Sequence, residues 1–110
     1  MYQAVTSDNI SYSVGENALE NDELRRAAHQ NDLWFHLHNL PSAHAILYCH
    51  NLKRVPLSSI KEVAEAVMFW SAKHLSSVRV NYCKVKYIRS GDKPGSVVLK
   101  KTPTTITVSL

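Results

Sequence analysis

The sequence predicts an α+β domain, a mostly antiparallel β-sheet packed against one long and one short α-helix. Three observations carry this. Leu33, Phe35 and Leu37 alternate with Trp34, His36 and His38, the period of two that gives a strand one apolar face. Ile60, Val63, Ala64, Val67 and Ser71 recur at spacings of three and four, the period of a helix. From Val78 onward the chain is rich in β-branched and aromatic residues, and Gly91, Pro94, Gly95 and Pro103 cut it into short runs. With 110 residues, the chain makes one domain, 1–110, with a single main core.

In chain order, the residues ahead of Ile10 read as loose. Ile10, Tyr12 and Val14 alternate with Ser11 and Ser13 and stop at Gly15, which predicts a first strand ending in a turn. Asn21 is suited to cap a helix. Asp22 and Glu23 follow where a helix dipole favours acid, and Arg25, Arg26 and His29 lie toward its other end. A short helix from about Asp22 to His29 is expected, with a narrow apolar stripe of Leu24, Ala27 and Ala28 that needs the sheet for support.

Asp32 to Tyr48 reads as a hairpin. Asn39, Leu40, Pro41 and Ser42 break it, because proline fixes its own φ and restricts the residue before it, and Ala43 to Tyr48 forms the return strand. His50 to Ser58 reads as a loop. Ser59 and Glu62 have the spacing of a capping box, so the long helix is expected to start at Ser59 and run to about His74, with Trp70 and His74 widening its apolar stripe. Three strands follow, Val78–Arg89, Ser96–Lys101 and Thr104–Leu110, in an antiparallel meander. Val78, Val80 and Tyr82 share a face, whereas Val85 and Tyr87 fall on the other, which predicts a bulge near Cys83 and Lys84.

Composition excludes several classes. A hydrophobic fraction of 45% and a charged fraction of 20% describe a globular chain, not a disordered one. No apolar run approaches the ~20 residues that cross a bilayer, so a soluble, cytoplasmic chain without a membrane partner is expected. Cys49 and Cys83 form no C-x-x-C pair and are expected to be buried and inert. Charge divides along the chain: two basic and six acidic residues up to His50, eleven basic and three acidic after it. The second half can therefore attract a polyanion, although a merely solvated basic surface gives the same count.

Arg79, Lys84, Lys86, Arg89, Lys93, Lys100 and Lys101 all lie on the strands and turns of the last third, beside Tyr82 and Tyr87. Cations next to rings make a surface for phosphates and exposed bases.

The residues also carry a resemblance. The order Gly15-x-Asn17, Asn21-Asp22-x-Leu24, Asp32-x-Trp34-Phe35-His36, Ser42-Ala43-His44, an alanine-rich helix, Val78-x-Val80-x-Tyr82 and Lys93-Pro94-Gly95-Ser96-Val97 resembles the NFACT-R domain, from about Ile10 to Val108. That is the RNA-binding domain of NFACT proteins, the fibronectin-binding-protein-A-like and NEMF-type factors of ribosome quality control. Asp32-Leu33-Trp34-Phe35-His36, followed eight residues later by His44, is its most specific part. Two departures stand out. Gly15-Glu16-Asn17 replaces the usual Gly-Arg-Asn, removing a cation, and Pro41-Ser42-Ala43-His44 replaces Pro-Gly-Ser-His, a form similar to standalone members. The resemblance implies RNA, ribosomal or transfer, and the ribosome as partners, and implies neither cofactor nor catalysis.

The contacts expected from these readings are Lys73, Arg79, Lys84, Lys86, Arg89 and Lys93, with His36 and His44 as auxiliary groups. Asp32, Trp34, His36 and His44 form the signature that marks the fold. Trp34 is expected in the core, and the same reading applies to Phe69 and Trp70. Two rivals remain open. Asp32, His36, His38 and His44 could hold a metal in a small enzyme. A sheet edge or apolar patch could make the chain a protein-interaction module, through self-association of its last strand.

Overall fold

The computed structural model describes residues 1–109. Its main sheet has six strands in the order β1-β2-β4-β3-β5-β8, and every neighbouring pair is antiparallel. These strands are β1 (Tyr2–Val5), β2 (Ser11–Val14), β3 (Leu33–Leu37), β4 (Ala45–Leu47), β5 (Ser77–Lys84) and β8 (Thr104–Ser109). Two helices, α1 (Ala18–Ala27) and α2 (Leu57–Ala72), complete the α+β fold the sequence predicts. A 3-10 turn, Val85–Tyr87, leads into a separate two-stranded sheet of β6 (Ile88–Ser90) and β7 (Val97–Leu99).

The alternation of β3 sorts the core into two layers. Leu33, Phe35 and Leu37 face α2 together with Val14, Leu47, Val80 and Val108, and Val63, Ala64, Val67 and Met68 close that layer from the helix. Trp34 points to the other face, where Ile46, Leu24 of α1, Val85 and Ile88 surround it. Full burial of one such large apolar side chain contributes roughly 1.5–3 kcal/mol, so one-residue slippage of β3 would exchange the two layers at great cost.

The N-terminal residues are not loose. β1 pairs with β2 from Tyr2 opposite Val14 to Val5 opposite Ser11, around a turn in which Asn9 takes φ 65°. That turn is fastened to the start of α2: Ser58 and Ser59 hydroxyls donate to Asp8 Oδ2 at 2.6 Å, and the Ser7 N–H donates to the Glu62 carboxylate at 3.1 Å. The expected capping box is thereby corrected. Ser59 and Glu62 bond to the first hairpin instead of to each other, and α2 starts two residues earlier, behind Pro56.

α1 also begins earlier than expected. Asn17 is its cap, with Oδ1 accepting from the Glu20 N–H at 2.9 Å, because Ala18, Leu19 and Glu20 are good helix formers behind the Gly15-Glu16 break. Asn21 lies inside the helix, buried, and accepts from the His44 N–H at 3.2 Å. Gly15 makes room for this: a Cβ there would stand 2.2 Å from Asn21 Oδ1.

The C-terminal meander is the largest departure. β5 ends at Lys84, and the change of face at Val85 marks a 3-10 turn, not a bulge, because Val85 and Ile88 go to the Trp34 layer. The middle run leaves the main sheet and pairs with β6, while β8 returns to pair with β5, Val80 opposite Ile106. Leu110, expected in the last strand, lies outside the described residues. Cys49 is buried as expected, but Cys83 is only half-buried, and burial pushes its thiol up to about 11.

Candidate functional site

The signature residues separate into two groups at opposite ends of β3. Asp32, at its start, is 1% exposed. Its Oδ2 accepts from the His29 N–H at 2.9 Å, and its Oδ1 accepts from the His50 N–H at 3.0 Å and lies 2.9 Å from His50 Nδ1. The His50 ring in turn stacks on His29 at 4.3 Å. Asp32 thus ties the end of α1 to the chain after β4. Neither His29 nor His50 carried a motif in the sequence, since only the fold brings them to Asp32.

The other group surrounds Trp34. Its Nε1–H donates to His44 Nδ1 at 3.2 Å, its ring stacks on His36 at 5.6 Å, and His36 meets His44 edge to face at 5.0 Å. His36 Nδ1 donates to the Leu37 carbonyl at 2.6 Å, the only arrangement open to a carbonyl partner. Burial holds the His36 imidazolium below its usual range, against the opposing pull of that carbonyl. Burial, with His36 and Arg25 adding to it and Asp22 opposing, brings His44 down to about 4. Both rings are therefore neutral at pH 7 and act as hydrogen-bonding groups, not as cations.

These two histidines line a cleft of about 720 Å3 between the start of α1, the turn Lys93–Ser96, and Trp70 of α2. A second cavity of about 450 Å3 shares them. The turn is locked onto α1 by the Gly95 N–H, which donates to Asp22 Oδ2 at 3.0 Å, and this bond, together with Arg25 Nη2 on Oδ1 at 3.2 Å, holds the Asp22 carboxyl below its usual range. Gly95 takes φ +80°, and a Cβ there would stand 2.9 Å from the Ala18 Cβ. Trp70 is 41% exposed and Phe69 49%, against the expectation of core positions. The buried stripe of α2 is centred on Ala64 and Val67, so Trp70 falls on its flank and Phe69 behind it. Trp70 leans on Tyr2 of β1, ring centres 5.4 Å apart.

The six expected cations do not form one patch. Lys84 and Lys86 gather at Tyr87 beyond the Leu33 end of β3, joined by Lys101. The Lys86 and Lys101 Nζ atoms stand 5.4 and 4.7 Å from the Tyr87 ring centre. Lys84, Lys101, Tyr82 and Tyr87 share a surface hollow of about 300 Å3. Lys93 lines the histidine cleft, about 10 Å away along the strand direction by the rise of β3. Lys73 caps the C-terminal end of α2 with its Nζ 5.6 Å from the Phe69 ring. Arg79 stands exposed on β5, and Arg89 on the small second sheet. Lys101 was legible as a charge but not as a member of the cluster, because its approach to Tyr87 depends on β7 pairing with β6.

The four residues of the metal alternative are dispersed as well. Asp32 belongs to His29 and His50, His38 Nδ1 lies 3.1 Å from Asn81 Oδ1, and among the described residues no three His, Cys, Asp or Glu side chains converge as a metal site. Nor is any helix among those residues long and apolar enough to cross a membrane.

An antiparallel α+β domain with a basic aromatic cluster and a buried Trp-His-His network is the class defined by fold and site. The model of the NFACT protein RNA binding domain matches residues 1–101, and the chain belongs to that family. It is 36% identical over 101 residues to the Rqc2 homolog RqcH of Streptococcus pneumoniae, and 30% identical over 96 residues to the Rqc2 homolog RqcH of Bacillus subtilis. Those alignments cover 87% and 84% of this chain but 18% and 16% of the relatives, so the chain spans about a sixth of their length. The C-terminal part of the fibronectin/fibrinogen-binding protein from Streptococcus suis has a similar structure, with a TM-score of 0.88 at 28% identity over 97% of this chain and 44% of that one.

Proposed function

We propose that this chain is a non-catalytic RNA-binding module that grips backbone phosphates through Lys84, Lys86 and Lys101 around Tyr87. Arg79, Arg89, Lys73 and Lys93 extend the contact, and His36 and His44 take part as neutral polar groups. The observation that carries this reading is the pair of ammonium groups held over one ring, with a third lysine beside it. Such an arrangement concentrates charge without any carboxylate in its lining and keeps an aromatic edge available. Membership of an RNA-binding family and likeness to RqcH support an RNA of the translation apparatus, ribosomal or transfer, and a cytoplasmic, ribosome-associated setting. The absence of catalysis is supported by Asp32, whose oxygens are spent on backbone and imidazole partners and leave no free general base beside His36.

Fluorescence anisotropy with a labelled structured RNA, titrated over several salt concentrations, tests this directly. Affinity is expected to fall steeply with salt, and the slope of log affinity against log salt to flatten by about 2 when Lys84, Lys86 and Lys101 become alanine, at roughly 0.7 per phosphate released. A folded protein that binds no RNA at low salt would refute the reading.

A further inference from the structure

We propose that the cleft bounded by Trp70, His36, His44 and Lys93 receives one unpaired nucleobase of the bound RNA, which makes the module selective for looped or single-stranded segments over continuous duplex. The inference rests on the RNA-binding reading above and assigns a second, separate element to it.

The hydrogen-bonding inventory of the cleft is the first argument. An indole N–H can only donate, so His44 Nδ1 accepts from Trp34 and the neutral ring carries its proton on Nε2. His44 is 3% exposed, yet this Nε2–H has no partner among the described residues, while the ring lines both cavities. His36 is the converse case. Its Nδ1–H is spent on the Leu37 carbonyl, which leaves Nε2 as an acceptor. The two rings, 5.0 Å apart, thus present one donor and one acceptor side by side. That is the pattern of a nucleobase edge, and a buried donor without a partner favours a ligand that supplies one.

Shape and charge point the same way. The cleft volume of about 720 Å3 lies within the usual range of small-molecule pockets. Trp70 offers a half-exposed ring that Tyr2 and Phe69 brace at 5.4 and 5.7 Å, and aromatic rings stack any of the bases. Lys93 is the cation lining the cleft, and Glu16 lines it too. A phosphate inside would meet Glu16 and two uncharged imidazoles. A neutral base inside, with its phosphate at Lys93, avoids that repulsion.

The test compares two labelled RNAs of equal phosphate number, a hairpin with an unpaired loop and a blunt duplex, against the wild-type chain, Trp70→Ala, Trp70→Phe, and the Lys84→Ala/Lys86→Ala/Lys101→Ala variant. The hairpin is expected to bind at least tenfold more tightly. Trp70→Ala should remove that preference while leaving duplex binding within about twofold, and Trp70→Phe should restore most of it, since a ring is kept. The lysine variant should weaken both RNAs and preserve their ratio. Equal binding of hairpin and duplex, or a preference that survives Trp70→Ala in a folded protein, would overturn the nucleobase pocket and leave phosphate binding intact. Failure to bind either RNA would instead overturn the reading on which it rests.

Discussion

Trp34 and His44 stand on either side of the turn between β3 and β4, and the Trp34 indole N–H donates to His44 Nδ1 across 3.2 Å. One bond thereby fixes the tautomer of His44, anchors the ring of the second core layer, and turns the remaining nitrogen of His44 toward the cleft. Neither partner is replaceable by an apolar residue of similar size without stranding the other.

This bond requires a neutral His44, so stability should depend on pH. His44 titrates near 4 in the fold and near 6.5 unfolded. The unfolded chain therefore takes up its proton first as pH falls, and the stabilisation, full above about 6.5, declines as pH drops toward 4. Between pH 7.5 and pH 5.0 the loss attributable to His44 is about 2 kcal/mol. His36, also held down by burial, adds in the same direction. Urea unfolding of the wild type and of His44→Gln at both pH values checks this: the variant should lose about 2 kcal/mol less between them.

Asp32 is a structural anchor, and Asp32→Asn should expose that. An amide of the same size turns an N–H2 toward one of the two backbone N–H groups that the carboxylate now receives. A cost of roughly 1–3 kcal/mol in urea unfolding is expected, with RNA affinity unchanged under conditions where the variant is folded.

Gly95→Ala should loosen the cleft. It combines φ +80° with a contact of 2.9 Å to Ala18, so the turn must move off α1 and withdraw its N–H from Asp22. A destabilisation of about 1–2 kcal/mol is expected. Faster amide exchange confined to residues 91–96 and the first turn of α1 would locate it.

The readable parts of the fold were those with a strong period. β3 and β4 emerge from the alternation around Trp34, and α2 from Ile60, Val63, Ala64 and Val67, because each buries a face whose chemistry repeats at the element's own period. β1 has only four residues and one mostly exposed face, so Tyr2–Val5 carries no such signal. Its partner in the fold, the Ser7-Asp8-Asn9 turn that grips Ser58, Ser59 and Glu62, resembled plain loop chemistry. The slip between Tyr82 and Val85 was visible, but local sequence does not say whether a change of face is a bulge or an exit to another sheet. The same limit hid half of the candidate site. His36 and His44 were linked by their motif, whereas Trp70, on the flank of an otherwise buried stripe, joined them only through packing on Tyr2. Cations adjacent in sequence were likewise assigned to one patch, and the turn at Val85 divides them between Tyr87 and the cleft.

The account's central claim is that the Tyr87 cluster, not net charge, binds RNA. The most direct measurement compares RNA affinity of two charge-matched variants at one moderate salt concentration. One carries Lys84→Glu, Lys86→Glu and Lys101→Glu; the other carries Lys53→Glu, Arg54→Glu and Lys61→Glu at exposed positions away from Tyr87. The first is expected to lose at least a hundredfold in affinity and the second no more than about fivefold, since dispersed charge acts only through the screened long-range field. Equal losses in the two, or retained binding in the first, would contradict the claim.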